Sequence, residues 1–127
     1  MKIFDCTTYF EEDLMMDLRF NILNDFVDKF VVSEATFTHS GNDKKIKFNP
    51  NNFKKFKDKI IHIIVDKDPV NQIQKKTNDS GLKRLNSIMR IEFQRNEIIR
   101  GLKEASDEDY IMYSDNDEIP DLEKINF

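Results

Sequence analysis

Two carboxylates stand two residues apart near the end of the chain, in Ser114-Asp115-Asn116-Asp117-Glu118. Carboxylates held this close repel each other unless a cation sits between them. Oxygen ligands of this kind favour hard divalent ions, Mn²⁺ or Mg²⁺. An ion so held also binds a diphosphate and offsets the charge that grows on a departing nucleoside diphosphate. In a chain with 24 acidic residues the spacing alone is weak. It gains weight from its place directly after Tyr110-Ile111-Met112-Tyr113, which reads as a buried strand. The plainer alternative is a solvated turn ahead of Pro120.

Arg95-Asn96 forms a second constellation. Ile91, Arg95, Ile98 and Leu102 are spaced four, three and four, which places Arg95 on the inward face of a helix. An inward Arg must find an anion or a carboxylate. A structural ion pair and support for a ligand's site both satisfy that need. Lys44, Lys45, Lys47, Lys54, Lys55, Lys57 and Lys59 crowd one stretch. They read either as a solvated rim or as a positive surface facing an anionic ligand. His62 alternates within a strand and is read as a satisfied core residue; His39 is more open.

The elements that must position these groups follow from periodicity. Lys2–Cys6 reads as a buried strand. Glu11-Glu12-Asp13 opens a helix, with Leu14, Met15, Leu18, Ile22 and Phe26 as its apolar face and Asp13, Asp17, Asn21 and Asn24 opposite. Phe30–Glu34 is a second strand, followed by a polar stretch from Thr36 to Asp43. Pro50 opens a short helix over Asn51–Lys57. Lys59–Val65 is nearly continuous in β-branched residues, as strands covered on both faces are. Residues 71–81 read as a mobile polar loop, with Asp79 or Ser80 as a cap. A helical pattern then runs from Leu82 to about Lys103 and leads to Tyr110–Tyr113. Strand and helix alternate throughout. The expectation is one α/β domain over 1–127, with a mostly parallel Rossmann-like sheet flanked by helices. Ligands of such sheets gather at the carboxyl ends of the strands. Glu34, Asp66/Asp68 and Asp115/Asp117 all fall there.

Composition narrows the classes. The 127 residues carry a net charge of −4 and 39% hydrophobic residues, Phe occurring 11 times. That supports a small core and no nucleic-acid partner, which would call for a strongly basic face. Cys6 stands alone, so no internal disulfide is possible. No membrane span and no signal peptide are read, which points to a cytoplasmic location.

The motifs also match a known family in order and spacing. They are Glu12–Phe20, Val27–Gly41, Phe56–His62, Gln94-Arg95-Asn96 and, most specific, Ser114-Asp115-Asn116-Asp117-Glu118-Ile119-Pro120. In these the chain resembles glycosyltransferase family 17, the β-1,4-N-acetylglucosaminyltransferase III-like enzymes. The resemblance implies a GT-A fold, UDP-N-acetylglucosamine as the sugar donor, a divalent metal and inverting transfer to a glycan hydroxyl. It makes Asp115 and Asp117 the metal motif. It gives Glu34 a place for nucleoside contacts and Arg95-Asn96 the pair ahead of the motif. Glu12 and Arg19 also match, Arg19 more simply as half of a structural ion pair. Members of the family continue well past this motif, where the acceptor site and its base lie, whereas this chain stops seven residues after Pro120. Two expectations follow. Either the chain is the donor-binding part of a transferase whose site is completed by a homo-oligomer or a partner chain, or it is a non-catalytic nucleotide-sugar or metal-binding module. In both, the isolated chain transfers sugar poorly.

Overall fold

The computed structural model describes residues 1–127. Four strands form one sheet: β1 (Ile3–Tyr9), β2 (Lys29–Ala35), β3 (Ile60–Val65) and β4 (Tyr110–Tyr113). Their order is β3-β2-β1-β4 and every pairing is parallel. The expected mostly parallel sheet is thus fully parallel. Helices α1 (Asp13–Leu23), α2 (Gln72–Lys75) and α3 (Ser80–Asn96) make up the crossovers, along with short 3₁₀ turns.

The alternation of side chains along the central strands divides the core in two. One layer gathers Ile3, Tyr9, Phe30 and Val32 with Met16, Phe20 and Leu23 of α1, and with Phe48, Phe53 and Phe56 from the β2–β3 connection. Phe20 sits at its centre, with ring centroids 4.7 Å from Phe30 and 5.2 Å from Phe53. Contacts of this kind add to simple burial. The opposite layer holds Phe4, Cys6, Val31, Ala35, Ile63 and Val65 with Ile98. Burial, helped by the neighbouring Asp5 charge, pushes the Cys6 thiol up to about 12, so it stays protonated and inert.

Several local expectations change. β3 and β4 are edge strands; Ile64 and Ile111 are exposed, so neither strand is covered on both faces. The stretch 71–81 is not a loop: Asn71 caps α2, and Asp79 caps α3 by accepting from the Leu82 N–H. The expected helix over Asn51–Lys57 is two 3₁₀ turns, Pro50–Phe53 and Lys57–Lys59. α1 buries Met16, Arg19, Phe20 and Leu23, while Leu14, Leu18 and Ile22 are exposed. Its inward face departs from the apolar stripe because a fully buried Arg lies on it. α3 likewise turns Asn86, Arg90 and Gln94 inward and leaves Arg95 at the surface. Gln94 is the reason: its Nε2 donates to the Ser33 and Tyr9 carbonyls, and its own carbonyl accepts from the Ser33 hydroxyl. A polar zipper fixes this helix to the sheet where the pattern called for apolar residues.

α3 tightens into a 3₁₀ turn, Glu97–Gly101, that reaches back to the sheet. A Cβ on Gly101 would lie 2.6 Å from Val31 Cγ1 and 3.3 Å from Ile61 Cγ2. Val31 is fully buried and cannot yield. Gly101→Ala is expected to destabilise the fold by about 1–3 kcal/mol, read as a lowered urea midpoint with an unchanged slope.

Candidate functional site

The strand order reverses direction at β1, with β2 on one side and β4 on the other. Open parallel sheets bind ligands at such a switch point, outside the carboxyl ends of the strands. Both the end of β1 and the acidic turn after β4 lie here. Asn116 ties them together by donating to the Thr8 carbonyl at 3.3 Å.

The acidic turn is built around Arg19, which has no exposed surface. Its Nε and Nη2 hold Asp5 of β1 in a fork, at 2.8 and 2.6 Å. Nη1 donates to the carbonyls of Asp115 and Glu118, at 2.9 and 2.8 Å, with Asn116 O at 3.4 Å. Nη2 also reaches Ser114 Oγ at 2.6 Å, and that hydroxyl donates onward to the Glu118 carbonyl. The five N–H donors of a guanidinium are thereby all engaged. The expectation that Arg19 forms a structural ion pair holds, and its partner is Asp5.

Arg19 grips the turn by its carbonyls, and its charge is matched by Asp5. The side chains of Asp115, Asp117 and Glu118 are left facing outward. All three are exposed, and carboxylate oxygens of the three lie within 4.8 Å of one another. None forms an ion pair with a Lys, Arg or His of the chain. This is a hard-oxygen donor set without an internal counter-charge, which fits a divalent cation. Glu118 is a member that the two-residue spacing did not single out.

Arg95 belongs beside this turn by a route other than the one expected. It is exposed, and its guanidinium lies over the Tyr113 ring at 4.9 Å. The Tyr113 hydroxyl donates to Asp115 Oδ1 at 3.2 Å. Arg95 therefore sits one aromatic ring from the carboxylates. Asn96 is exposed as well.

Glu34 is placed differently. It has no exposed surface, and both oxygens are engaged within the chain. Lys44 Nζ and the Lys47 N–H reach Oε2 at 2.6 and 2.7 Å. His62 Nε2 and the Phe48 N–H reach Oε1, each at 3.1 Å. In this arrangement Glu34 anchors the segment that carries Phe48 into the core. His62 is satisfied by Glu34, as expected, but it is half-buried on an edge strand rather than in the core. The lysine-rich stretch does not act as one patch. Lys44 serves Glu34, Lys59 caps the Asn24 and Val27 carbonyls, and Lys47 pairs with Glu11 at the surface.

A cleft opens between the ends of β1 and β2, lined by residues including Thr8, Tyr9, Phe37, His39, Lys44 and Gln94. At about 80 Å³ it is small beside ligand pockets of roughly 300 Å³ and more. It accepts one ring or one small polar group, while a larger ligand would lie across its rim toward Asn116 and the acidic turn.

Two outcomes test this account. Arg19→Ala leaves Asp5 buried without a partner and should cost about 3–5 kcal/mol. Replacing the pair together, Asp5→Leu with Arg19→Met, should recover much of that in urea unfolding. The Glu118 amide, which donates to Asp115 O, should still exchange faster than in the parent. An Arg19→Ala protein as stable as the parent would contradict the account. The second outcome concerns Glu34. Burial would raise its carboxyl, but the bonds from His62, Lys44 and the two backbone amides outweigh that and hold it below its ordinary value of 4.5. A depressed acid stabilises the fold fully above its unfolded value and loses that contribution as pH falls through the folded value. Stability should therefore decline below about pH 4.5, and Glu34→Gln should flatten that part of the stability–pH profile.

A family model described as glycosyltransferase family 17 matches residues 1–127. No curated protein and no solved structure matches the chain.

Proposed function

The chain belongs to glycosyltransferase family 17, and on that premise we propose that the acidic turn is its sugar-nucleotide site, holding Mn²⁺ or Mg²⁺ on Asp115 and Asp117 with Glu118 beside them. The observation that carries this reading is the set of three outward carboxylates, close together, exposed and without an internal counter-charge. A divalent ion bound there would neutralise a diphosphate and stabilise it as a leaving group. The chain's own residues supply the rest. Arg19 and Ser114 keep the turn in one shape before any ligand arrives, so little ordering is left for binding. Tyr113 orients Asp115. Arg95, held over the Tyr113 ring, presents a planar cation suited to phosphate oxygens. Thr8 and the small cleft between β1 and β2 receive the part of the donor away from the diphosphate.

The finer reading is a GT-A-type transferase that uses a UDP-sugar, UDP-N-acetylglucosamine, and inverts the sugar carbon on transfer to a glycan hydroxyl. Support comes from the family match together with a parallel sheet whose switch point carries the Asp-x-Asp pair. The exposed Leu14, Leu18 and Ile22 of α1 offer an apolar surface for whatever completes the acceptor side. A non-catalytic nucleotide-sugar module uses the same donor site and differs only in lacking turnover. No helix of the chain is long and apolar enough to cross a membrane.

Calorimetry with UDP, with and without Mn²⁺, tests the proposal. UDP should bind with Mn²⁺ and at least about tenfold more weakly without it. Asp115→Ala/Asp117→Ala should abolish the metal-dependent part while leaving the urea midpoint unchanged, since both side chains are exposed. Binding that is indifferent to metal, or unaltered in the double variant, would overturn it.

A further inference from the structure

A second cleft lies along the same face of α3, nearer its N-terminus. Its lining is Ser40, Lys75, Lys83, Asn86, Ser87 and Arg90, with no apolar residue among them, and its volume is about 170 Å³. Three of the six are cations. The carboxylate that serves them is Asp68, with Arg90 Nε at 3.0 Å and Lys75 Nζ at 3.9 Å. Lys83 has no ion pair. The cleft therefore carries excess positive charge in a chain whose net charge is −4.

The buried groups point the same way. Arg90 is 2% exposed. Its Nε is taken by Asp68 and its Nη1 by the His39 carbonyl, yet Nη2 has no acceptor. One helical turn earlier, Asn86 is 3% exposed. Its Nδ2 donates to the Gln74 carbonyl, while its Oδ1 has no donor. Buried polar atoms are ordinarily paired. Here a missing acceptor and a missing donor stand four residues apart on one helix face, on the wall of one cleft. The backbone around Arg90 is shaped for close approach. Gly41 has φ +90°, and a Cβ there would lie 2.5 Å from Arg90 Nη2. Only glycine leaves the guanidinium its place.

We propose that this cleft binds an anionic saccharide group. A phosphate or carboxylate meets Lys75 and Lys83 at the mouth, and a small shift of the Arg90 and Asn86 side chains, now buried in the wall, brings Nη2 to the anion and Oδ1 to a neighbouring hydroxyl, with the Ser40 and Ser87 hydroxyls on the rim. A bare anion satisfies the cations but offers nothing to Asn86, and a neutral sugar does the reverse. The cleft is next to the one between β1 and β2. His39 lines the first and Ser40 the second, and Gln94 and Arg90 are one turn, about 6 Å, apart along α3. Two molecules could bring such a group: an acidic or phosphorylated acceptor, or the donor through its own phosphates.

Titration of the full chain with glucose 6-phosphate, inorganic phosphate, glucose and UDP, followed by amide NMR shifts, tests this. Glucose 6-phosphate should bind most tightly of the first three, with shifts at Ser87, Arg90 and Gly41. Lys75→Ala/Lys83→Ala, both at exposed positions, should weaken it by about tenfold or more. Arg90→Lys should act in the same direction. Asp115→Ala/Asp117→Ala should leave it unchanged, which keeps this site's failure distinct from failure of the acidic turn. UDP that displaces glucose 6-phosphate without metal would make the donor the source of the anion; UDP that does not would make it the acceptor. Absence of saturable binding by glucose 6-phosphate and phosphate, or binding unaltered in both cleft variants, would overturn the proposal.

Discussion

The structure hangs on one buried guanidinium. Arg19 comes from α1, takes its counter-charge from Asp5 in the first strand, and spends its remaining donors on the turn after the last strand. A single side chain joins the first strand and the first helix to a turn 96 residues further along. The geometry requires arginine. Lysine has three donors on one atom and cannot fork to a carboxylate while also spanning two carbonyls and a hydroxyl. The arrangement also has an electrostatic consequence. Because Asp5 neutralises the guanidinium and the turn contributes carbonyls, the turn's own carboxylates are left without a cation. Had Asp115 or Asp117 paired with Arg19 directly, the same residues would form a closed salt bridge and no open donor set.

This division of labour explains which residues were legible in the sequence. The alternation of strands and helices, the boundaries of β4 and the acidic pair could all be read, because they rest on local period and local chemistry. The inward faces of α1 and α3 could not. Each buries polar residues, Arg19 on one and Asn86, Arg90 and Gln94 on the other, while leucines and isoleucines of the same helices remain exposed. A hydrophobic stripe marks the inward face only where the neighbouring surface is apolar. Here the neighbours are a strand-borne Asp5, the Ser33 hydroxyl and backbone carbonyls at the carboxyl edge of the sheet. The helices turn toward what can satisfy their polar groups, and that requirement outweighed the simple pattern.

Acids at strand ends teach a related lesson. Glu34 lies near the end of one strand and Asp115 just after another, and both read as ligand contacts. Glu34 is surrounded by four donors and is part of the scaffold. Asp115 accepts one hydrogen bond, from a tyrosine, and keeps the rest of its capacity free. No local signal separates the two. The difference is set by the segment after β2, which folds back to deliver Lys44, Lys47 and Phe48 onto Glu34. Arg95 shows the converse. Its inward placement fails, yet it reaches the acidic turn across the Tyr113 ring, over which the last turn of α3 holds its guanidinium.

The rim of the sheet is therefore polarised by design of its partners rather than by composition. On the β4 side, carboxylates are exposed because their backbone, not their side chains, is tied down. On the α3 side, cations line a cleft because one carboxylate, Asp68, is shared between two of them and a third has none. A neutralised pair contributes little field beyond its immediate surroundings, whereas an unmatched group of like charge attracts a counter-ion over a Debye length of about 8 Å. Both excesses flank the small cleft between β1 and β2, and they are of opposite sign. A ligand that carries negative charge at both ends can meet the first only through a bound cation and the second directly. Anionic groups are thereby sorted between the flanks by the route each needs, a bound cation on one side and direct contact with Lys and Arg on the other.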